Sequence, residues 1–351
     1  MNTTERVDFG RPTARLRVGP VAWRYDVRAV SVCGVILACA AVISLFALAV
    51  GDLELSLGDV VRSLAGRDDG IADIVVNQWR GPRVVATLVF GAALGVSGAI
   101  FQSLTRNPLA SPDIIGFSAG SYSGALIVIV VFGGSYLQTA GGALIGGIAT
   151  ATVVYLLAYR GGVQGFRLII VGIAVSAMLG SLNTWFLLTA DLDVAVSAAV
   201  WGAGSLSSVG WDQVAVGTIA VVVLVGCAAI LARPMRHLEM GDDAARALGV
   251  RAEPARLALV AVGVALTATV TAAAGPIAFV ALAAPQIARR LTRTAGVGVA
   301  GAACMGALLL AAADFIAQHL LPRALPVGLV TVVIGGTYLI WLLIREVRRR
   351  A

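Results

Sequence analysis

Ten apolar stretches, each close to the length of a membrane-spanning helix, alternate with short polar segments along the chain. About 20 apolar residues in a helix cross the hydrocarbon core of a bilayer. The stretches are 29–50, 84–105, 114–132, 138–159, 167–189, 214–232, 257–274, 276–291, 298–320 and 327–344. The eighth is short and follows Gly275-Pro276, so we expect a tilted or broken span, covered by protein or lining a cavity. The pattern predicts an all-α integral membrane fold of about ten transmembrane helices.

The distribution of positive charge predicts the orientation of these spans. All 26 basic residues are arginine, and an even number of spans puts both termini on one side. With both termini in the cytoplasm, 21 arginines fall in inside segments and five in outside segments, as the positive-inside rule requires. The net charge of +7 therefore reflects topology and does not argue for a nucleic-acid partner.

A single membrane domain accounts for most of the 351 residues, of which 59% are hydrophobic and 13% charged, whereas soluble domains carry about 25% charged residues. We divide the chain into a basic cytoplasmic N-terminal segment at 1–28, a transmembrane domain at 29–345 and a basic cytoplasmic tail at 346–351. The domain includes a polar cytoplasmic loop at 233–256. No convincing cleavage site follows the first apolar stretch, which predicts a retained span rather than a signal peptide.

Groups suited to catalysis or metal binding are few. The four cysteines lie inside predicted spans without metal-ligand spacing, which favours buried free thiols: they are Cys33, Cys39, Cys227 and Cys304. Asp314 is the main carboxylate within an apolar stretch, and such a group serves either transport or a bond to a neighbouring helix. No P-loop and no nucleophile–base set occurs. The sequence therefore predicts no enzyme activity, no cofactor and no metal.

Glycines recur at every fourth position in several spans. Small residues four apart form a flat ridge on which helices approach closely in lipid. The pattern indicates either a tight bundle around a transport path or ordinary membrane-helix packing. The glycines concerned are Gly91 and Gly95, Gly116, Gly120 and Gly124, and Gly142 and Gly146.

A series of short motifs is distributed along the whole chain. The first are Arg80-Gly-Pro-Arg83, Gly91-Ala-Ala-Leu-Gly95-Val-Ser-Gly98, Gln102 and Asn107-Pro108-Leu-Ala-Ser-Pro-Asp-Ile-Ile-Gly116. The later ones are Gly275-Pro276-Ile-Ala-Phe-Val-Ala, Pro285-Gln286, Ala313-Asp314 and Leu325-Pro326-Val-Gly328. In this order and spacing they resemble the permease subunits of ABC importers for iron-siderophores, haem and cobalamin. The resemblance covers nearly all of residues 29–345.

This resemblance implies a bundle like that of the cobalamin-importer permease, in a bacterial plasma (inner) membrane. It also implies that the permease pairs with a second permease subunit, identical or similar, and that the path lies between them. Each permease would rest on a cytoplasmic ATP-binding subunit, and a substrate-binding protein would deliver substrate from outside. The permease itself would perform no chemistry.

The resemblance also assigns the polar loop as the coupling helix that fits a cleft in the ATPase. The matching residues are Met240, Gly241, Asp242, Asp243, Ala244, Ala245, Arg246, Leu248 and Gly249. An acid at the first turn suits the positive end of a helix and can cap it. Ala244, Ala245 and Leu248 predict a small apolar face, and Gly249 predicts a left-handed exit. A helix this short is marginal alone, so we expect docking to stabilise it.

At the other side of the membrane, Arg80 and Arg83 match paired arginines that dock the binding protein in the family. An exposed arginine forms a bidentate pair with a carboxylate, which gives orientation and encounter rate. The alternative is that both cap their span and snorkel to headgroups. Gly165 and Phe166 align roughly with the inner gate of the family.

Three positions depart from the pattern of the family. Gln318 stands where an arginine often follows the Asp314 position, so we expect Arg323 to serve as the third docking arginine. The usual Pro-His pair reads Pro285-Gln286, and a usual glycine is Ala281.

Three functions are compatible with the sequence. The first is a permease of an ATP-driven importer that works by alternating access, with a ferric siderophore favoured over haem or cobalamin as substrate. The second is an ion-coupled secondary transporter, for which Asp314 and the Gly275-Pro276 break are the candidate features. The third, an intramembrane enzyme, is disfavoured because no catalytic set is visible.

Overall fold

The structure is a computed structural model that describes residues 13–18, 21–67, 70–113, 115–159, 165–294 and 296–350. It begins with two antiparallel strands, β1 (Thr13–Val18) and β2 (Val21–Asp26). The helices are α1 (Val27–Ala49), α2 (Leu57–Leu64), α3 (Ile71–Asp73), α4 (Gly81–Thr105), α5 (Phe117–Phe132), α6 (Tyr136–Ala158), α7 (Gly165–Thr189), α8 (Leu192–Gly202), α9 (Trp211–Glu239), α10 (Asp242–Ala247), α11 (Ala252–Ala274), α12 (Val280–Thr292), α13 (Val299–Phe315) and α14 (Val327–Arg350). Two π-helical segments, Ile74–Arg80 and Ile316–Leu320, join α3 to α4 and extend α13.

Each of the ten predicted stretches coincides largely with one of these helices, and the all-α membrane class is confirmed. Among the described residues, seven helical segments are long and apolar enough to cross a membrane. The helices α5, α12 and α14 are shorter in their apolar part, so the number of spans stays a prediction, as does the orientation. The apolar helix α8 was missed, because its 11 residues are too few to span a bilayer.

Helix α4 lies at the centre of the bundle. It packs most extensively on α13 and also contacts α9, α11 and α12, while α5 and α6 form a second close pair. In the most apolar stretch of the segment that includes α4, 72% of the residues are buried, which is the largest share among the described spans. Its buried aromatic and aliphatic side chains, such as Phe90 and Ile100, fill the space between these helices. The side chains of α4 therefore fill the centre of the bundle.

The glycine ridge predicted on α4 lies directly against α13. A Cβ on Gly91 would overlap the carbonyl oxygen of Gly306, and one on Gly95 would overlap that of Ala302. The glycines of α5 meet those of α6 in the same way. These backbones approach so closely that only glycine fits, which confirms tight helix packing as the role of the ridges.

The predicted break after α11 is also confirmed. Gly275 ends α11 with a φ of +71°, and α12 begins only at Val280. A neighbouring segment covers the unwound backbone: the N–H of Ser205 donates to the carbonyl of Ala274 (2.7 Å). The N–H of Gly328 donates to the carbonyl of Gly204 (3.1 Å). The break is thus covered by protein, as irregular backbone in lipid must be.

Two of the remaining motif residues bond α4 and the segment after it to α12. The Gln102 side chain donates to the carbonyl of Leu282 (2.9 Å), and the Gln286 side chain donates to that of Pro108. Asn107 closes a turn by accepting from the N–H of Leu109 (2.9 Å).

Four further motif residues lie at helix contacts or at helix ends. Gly98 contacts Ala281, and Gly116 precedes α5 with a φ of +95°. Pro285 lies within α12, and Pro326 precedes α14.

The four cysteines are less buried than the sequence predicts. All four are free, but Cys39 is exposed and the other three are only partly buried: Cys33, Cys227 and Cys304. The prediction of buried thiols was therefore wrong. A predicted span has a large lipid-facing surface, and apolar pattern alone does not separate that surface from the helix interface.

Candidate functional sites at the two ends of α4

The bundle has two ends that differ in their connecting elements. The α8 end, which we define by α2, α3 and α8, contains the start of α4. The α10 end, which we define by α10, contains the end of α4. Most of the residues predicted to have a function lie at one end or the other.

At the α8 end, Arg83 forms a bidentate ion pair with Asp314. Its Nε donates to Asp314 Oδ2 (2.8 Å) and its Nη2 to Asp314 Oδ1 (2.7 Å). The remaining Nη1 donates to the hydroxyl of Ser207 (3.3 Å). The side chains are only 18% and 8% exposed, so the pair ties α4 to α13 with little exposure to solvent.

Arg80 lies one turn earlier and has a different set of partners. Its Nη1 donates to the carbonyl oxygens of Leu48 (2.8 Å) and Ala49 (3.2 Å), and its Nη2 donates to that of Leu53 (2.8 Å). The guanidinium thus bonds carbonyls in the last turn of α1 and just beyond it, a position that favours a cation. Arg80 is the last residue of the π-helical segment, a feature that often occurs at functional sites.

A cavity of about 330 Å³ opens between these groups at the α8 end. Its lining includes both arginines and Asp314, together with Asp52, Gln318 and His319. Arg323 lies nearby on the connection to α14 and is exposed. Of the three predicted docking arginines, Arg323 alone has no ion pair or side-chain hydrogen bond within the described ranges.

These contacts change how the docking arginines are interpreted. The family resemblance implied that the side chains of Arg80 and Arg83 are available to a partner protein, but both form hydrogen bonds to other residues of this chain. For Asp314, the alternative that it bonds a neighbouring helix is confirmed. Docking stays a prediction, and an arginine that docks must either share its internal partners or exchange them.

At the α10 end, α10 is a helix of six residues between two glycines. Gly241 precedes it with a φ of +111°, and Gly249 follows it with a φ of +81°. The left-handed exit predicted at Gly249 is therefore confirmed. Neither acid caps the helix, since Gly241 is the capping residue and no side-chain cap bond is formed. The predicted cap was wrong because Asp242 bonds elsewhere.

The apolar face predicted on α10 is divided between two directions. Ala245 is fully buried and packs into the core of this chain, and Ala244 is half-buried. Leu248 and Met240 are instead 57% and 60% exposed. The prediction that Ala244, Ala245 and Leu248 form one face was wrong, because the inward side of so short a helix must pack on its own bundle.

Asp242 is the inward-facing acid of α10. Its Oδ1 accepts from Arg256 Nη2 (2.7 Å) and from Arg106 Nη2 (3.2 Å). Asp243 is fully exposed and bonds Arg246 within the same helix (3.3 Å). The two acids look equivalent in sequence. Of the two, Asp242 bonds residues of other helices, whereas the ion pair of Asp243 lies within α10.

The predicted inner-gate residues lie at the same end. Gly165 begins α7, and the side chain of the next residue, Phe166, is 76% exposed. Residues 160–164, which precede them, lie outside the described residues. Among the described residues, the hydrogen bonds and ion pairs of Asp242 go to Arg106 and Arg256 and not to either of these residues.

Several residues of the two sites were missed from the sequence. Arg106 takes a left-handed conformation at the end of α4 (φ +50°), and Arg256 lies 14 residues beyond Asp242. Ser207 and Gly204 lie between the fifth and sixth predicted apolar stretches, where no element was predicted. The charge of Arg106 and Arg256 in a cytoplasmic segment was visible, but nothing in the spacing indicated that they share a carboxylate.

Comparison with known proteins agrees with this arrangement. A family model described as the FecCD transport family matches residues 37–345. The chain belongs to the FecCD transport family. The resemblance drawn from the motifs is thereby confirmed, and the match runs from within α1 to within α14.

Relatives within the family are permeases of several iron-chelate systems. The chain is 50% identical over 319 residues to the ferric enterobactin transport system permease protein FepG of Escherichia coli, which covers 91% of this chain and 97% of that protein. It is 37% identical to the achromobactin transport system permease protein CbrC of Dickeya dadantii, over 85% of this chain and 87% of that one. It is 34% identical to the hemin transport system permease protein HmuU of Yersinia pestis, over 77% and 83%.

A solved structure shares the fold. It is an inward-facing conformation of a metal-chelate type ABC transporter, with a TM-score of 0.79 and 24% sequence identity. The match covers 90% of this chain and 99% of that one. The bundle described above is therefore the fold of an ABC permease.

Proposed function

We propose that this chain is the membrane-spanning permease subunit of an ATP-driven ABC importer that carries a ferric siderophore across the bacterial plasma membrane. The observation that carries the proposal is the 50% identity, over 91% of the chain, to a permease of a ferric enterobactin system. Alternating access is the mechanism: ATP drives the switch through contacts that differ between the two states.

The partners proposed are a second permease subunit, two cytoplasmic ATP-binding subunits and an external binding protein. The exposure of Met240 and Leu248, which flank α10, supports an ATPase contact, because two large apolar side chains are presented to the surroundings at the two ends of this six-residue helix. Such a helix gains stability when a partner covers it. The arginine distribution supports a cytoplasmic α10 end and cytoplasmic termini.

Docking of the binding protein is proposed at the α8 end. Arg323 is exposed and offers its charge directly, while Arg80 and Arg83 hold the walls of the neighbouring cavity. An exposed arginine that meets a carboxylate contributes mainly to orientation and encounter rate. Gly165 and Phe166 stay candidates for the inner gate.

Two alternatives differ from this proposal in substrate or in energy source. Haem is the second candidate substrate, because a hemin permease is 34% identical to this chain, and cobalamin is the third. An ion-coupled transporter is disfavoured because Asp314, its main candidate carboxylate, is already paired with Arg83. Among the described residues, no group of His, Cys, Asp and Glu could hold a metal ion.

The test is uptake in an iron-starved strain from which the gene is deleted. Radiolabelled ferric enterobactin, a ferric hydroxamate, haemin and cobalamin are supplied separately, with the restored gene as control. We expect loss of ferric siderophore uptake alone. Loss of haemin or cobalamin uptake alone would replace the substrate, and uptake that persists after ATP depletion while the proton gradient is held would contradict the ABC mechanism.

A further inference from the structure

The carboxylate of Asp242 connects three separate helices through one oxygen atom. Asp242 belongs to the first turn of α10, Arg106 caps the end of α4, and Arg256 lies near the start of α11. Both guanidinium groups donate to Oδ1, at 3.2 and 2.7 Å. A displacement of α10 would therefore be transmitted through these two bonds to α4 and α11.

The connection is partly shielded from solvent. The Arg256 side chain is only 4% exposed, and its Nε has no hydrogen-bond partner in the described part of the chain. Removal of the Asp242 charge would leave this buried guanidinium with Glu253 as its remaining partner. An ion pair in this setting holds its geometry better than an exposed one, because each charge loses more when its partner is removed.

The chain on either side of α10 offers little stiffness of its own. Gly241 and Gly249 both adopt left-handed conformations, and neither has an atom within 4 Å of the position of a Cβ. Such residues can absorb backbone rotation. Within the described residues, the packing of Ala245 and the Asp242 ion pairs hold α10 to the bundle.

We propose that Asp242 is a positioning residue that makes α10 move as one body with α4 and α11. Force applied to α10 by the ATPase then reaches α4, which runs to the Arg83–Asp314 pair at the α8 end. This inference rests on the proposed function, since it requires an ATPase that drives α10. It differs from a docking role, because Asp242 faces this chain and not the partner.

The test uses the complete transporter, with permease, ATPase and binding protein, reconstituted in proteoliposomes. The measured quantity is ferric siderophore transported per ATP hydrolysed. For Asp242→Asn we expect this ratio to fall at least about tenfold, equivalent to about 1.4 kcal/mol of lost coupling, while the ATPase still co-purifies. The matched control is Glu253→Gln, which removes a carboxylate from the same Arg256 but within α11, and it should change the ratio less than about twofold.

A second variant covers the case in which Asp242→Asn fails to fold. Arg106→Gln removes only the exposed arm of the connection and should lower the ratio about threefold. If Asp242→Asn folds, the double variant should be no worse than Asp242→Asn alone, because both changes break the same connection.

The outcomes separate this inference from the proposed function. A normal transport ratio in Asp242→Asn or in Arg106→Gln, with the ATPase bound, would overturn the positioning role and leave the importer intact. A wild-type complex that binds no ATPase, or that transports without ATP, would instead refute the proposed function. Loss of ATPase binding in Asp242→Asn, with Glu253→Gln normal, would overturn the positioning role in favour of docking.

Discussion

The two ends of α4 carry ion pairs that differ in burial and geometry. At the α8 end, Arg83 and Asp314 form a bidentate pair with exposures of 18% and 8%. At the α10 end, Arg106 gives a single bond to Asp242, with exposures of 49% and 31%. The ion pair at the start of α4 is therefore tighter than the one at its end.

This difference matches what each end must do in the proposed importer. A buried bidentate pair fixes the distance between α4 and α13, and it breaks only at a large cost in free energy. An exposed single bond contributes about 1 kcal/mol or less, and at the α10 end the less exposed bond from Arg256 to Asp242 adds to it. The α8 end thus behaves as an anchor, and the α10 end as the end through which a partner can move α4.

The largest expected effect comes from reversing the charge of the anchor. Arg83→Glu places two carboxylates together in a site that is mostly shielded from water. We expect a loss of about 3 to 5 kcal/mol of stability, seen as a sharp fall in folded, monodisperse protein after purification. Uptake should be lost as well.

The exchange variant provides the control for this prediction. Arg83→Asp combined with Asp314→Arg restores opposite charges across the same two helices, and it should recover most of the folded yield. Normal yield and uptake in the Arg83→Glu variant alone would show that the pair is not an anchor. Recovery of yield without recovery of uptake would assign Arg83 a docking role in addition.

The helices were predictable from sequence, and the contacts between their ends were not. Long apolar stretches such as 84–105 and 298–320 predict spans, because lipid demands that backbone bonds close within each helix. The glycine spacing of α4 likewise indicated close packing, and Gly306 of α13 confirms it. These signals are local, so a single sequence contains them in full.

The ion pairs depend on contacts between positions far apart in the chain. Arg83 and Asp314 are separated by 231 residues, and Arg106 and Asp242 by 136. No periodicity connects such positions, so Arg83 looked like a free docking arginine. On α10 the misassigned face has a different origin: helical spacing groups Ala245 with Leu248, but the bundle behind α10 covers only Ala245.

An intermediate effect is expected at the exposed arginine of the α8 end. Arg323→Glu should weaken binding of the external binding protein about tenfold, because a repelling charge replaces an attracting one at a rim position. Folded yield should not change, since Arg323 has no ion pair in the described part of the chain. Titration of the binding protein onto the permease in nanodiscs measures the affinity.

The matched control for this docking test is Arg62→Glu. Arg62 is also exposed at the α8 end, where its ion pair among the described residues is with Asp59 in its own helix. It should leave the affinity nearly unchanged. An equal loss in both variants would indicate a general charge effect, and no loss in Arg323→Glu would remove Arg323 from the docking surface.

The smallest expected effect is on stability at the α10 end. Arg106→Gln should cost less than about 1 kcal/mol, because an exposed pair gains little in water and is screened by salt. Raising the ionic strength from about 0.1 to 1 M shortens the screening length from about 10 to 3 Å. We therefore expect salt to reduce the stability difference between wild type and Arg106→Gln, and to leave that of Arg83→Glu nearly constant. Thermal unfolding of both variants at the two salt concentrations measures this contrast. If Arg106→Gln proved as destabilising and as salt-insensitive as Arg83→Glu, the ion pairs at the two ends of α4 would be equally strong, and the contrast between an anchored end and a lightly held end would fail.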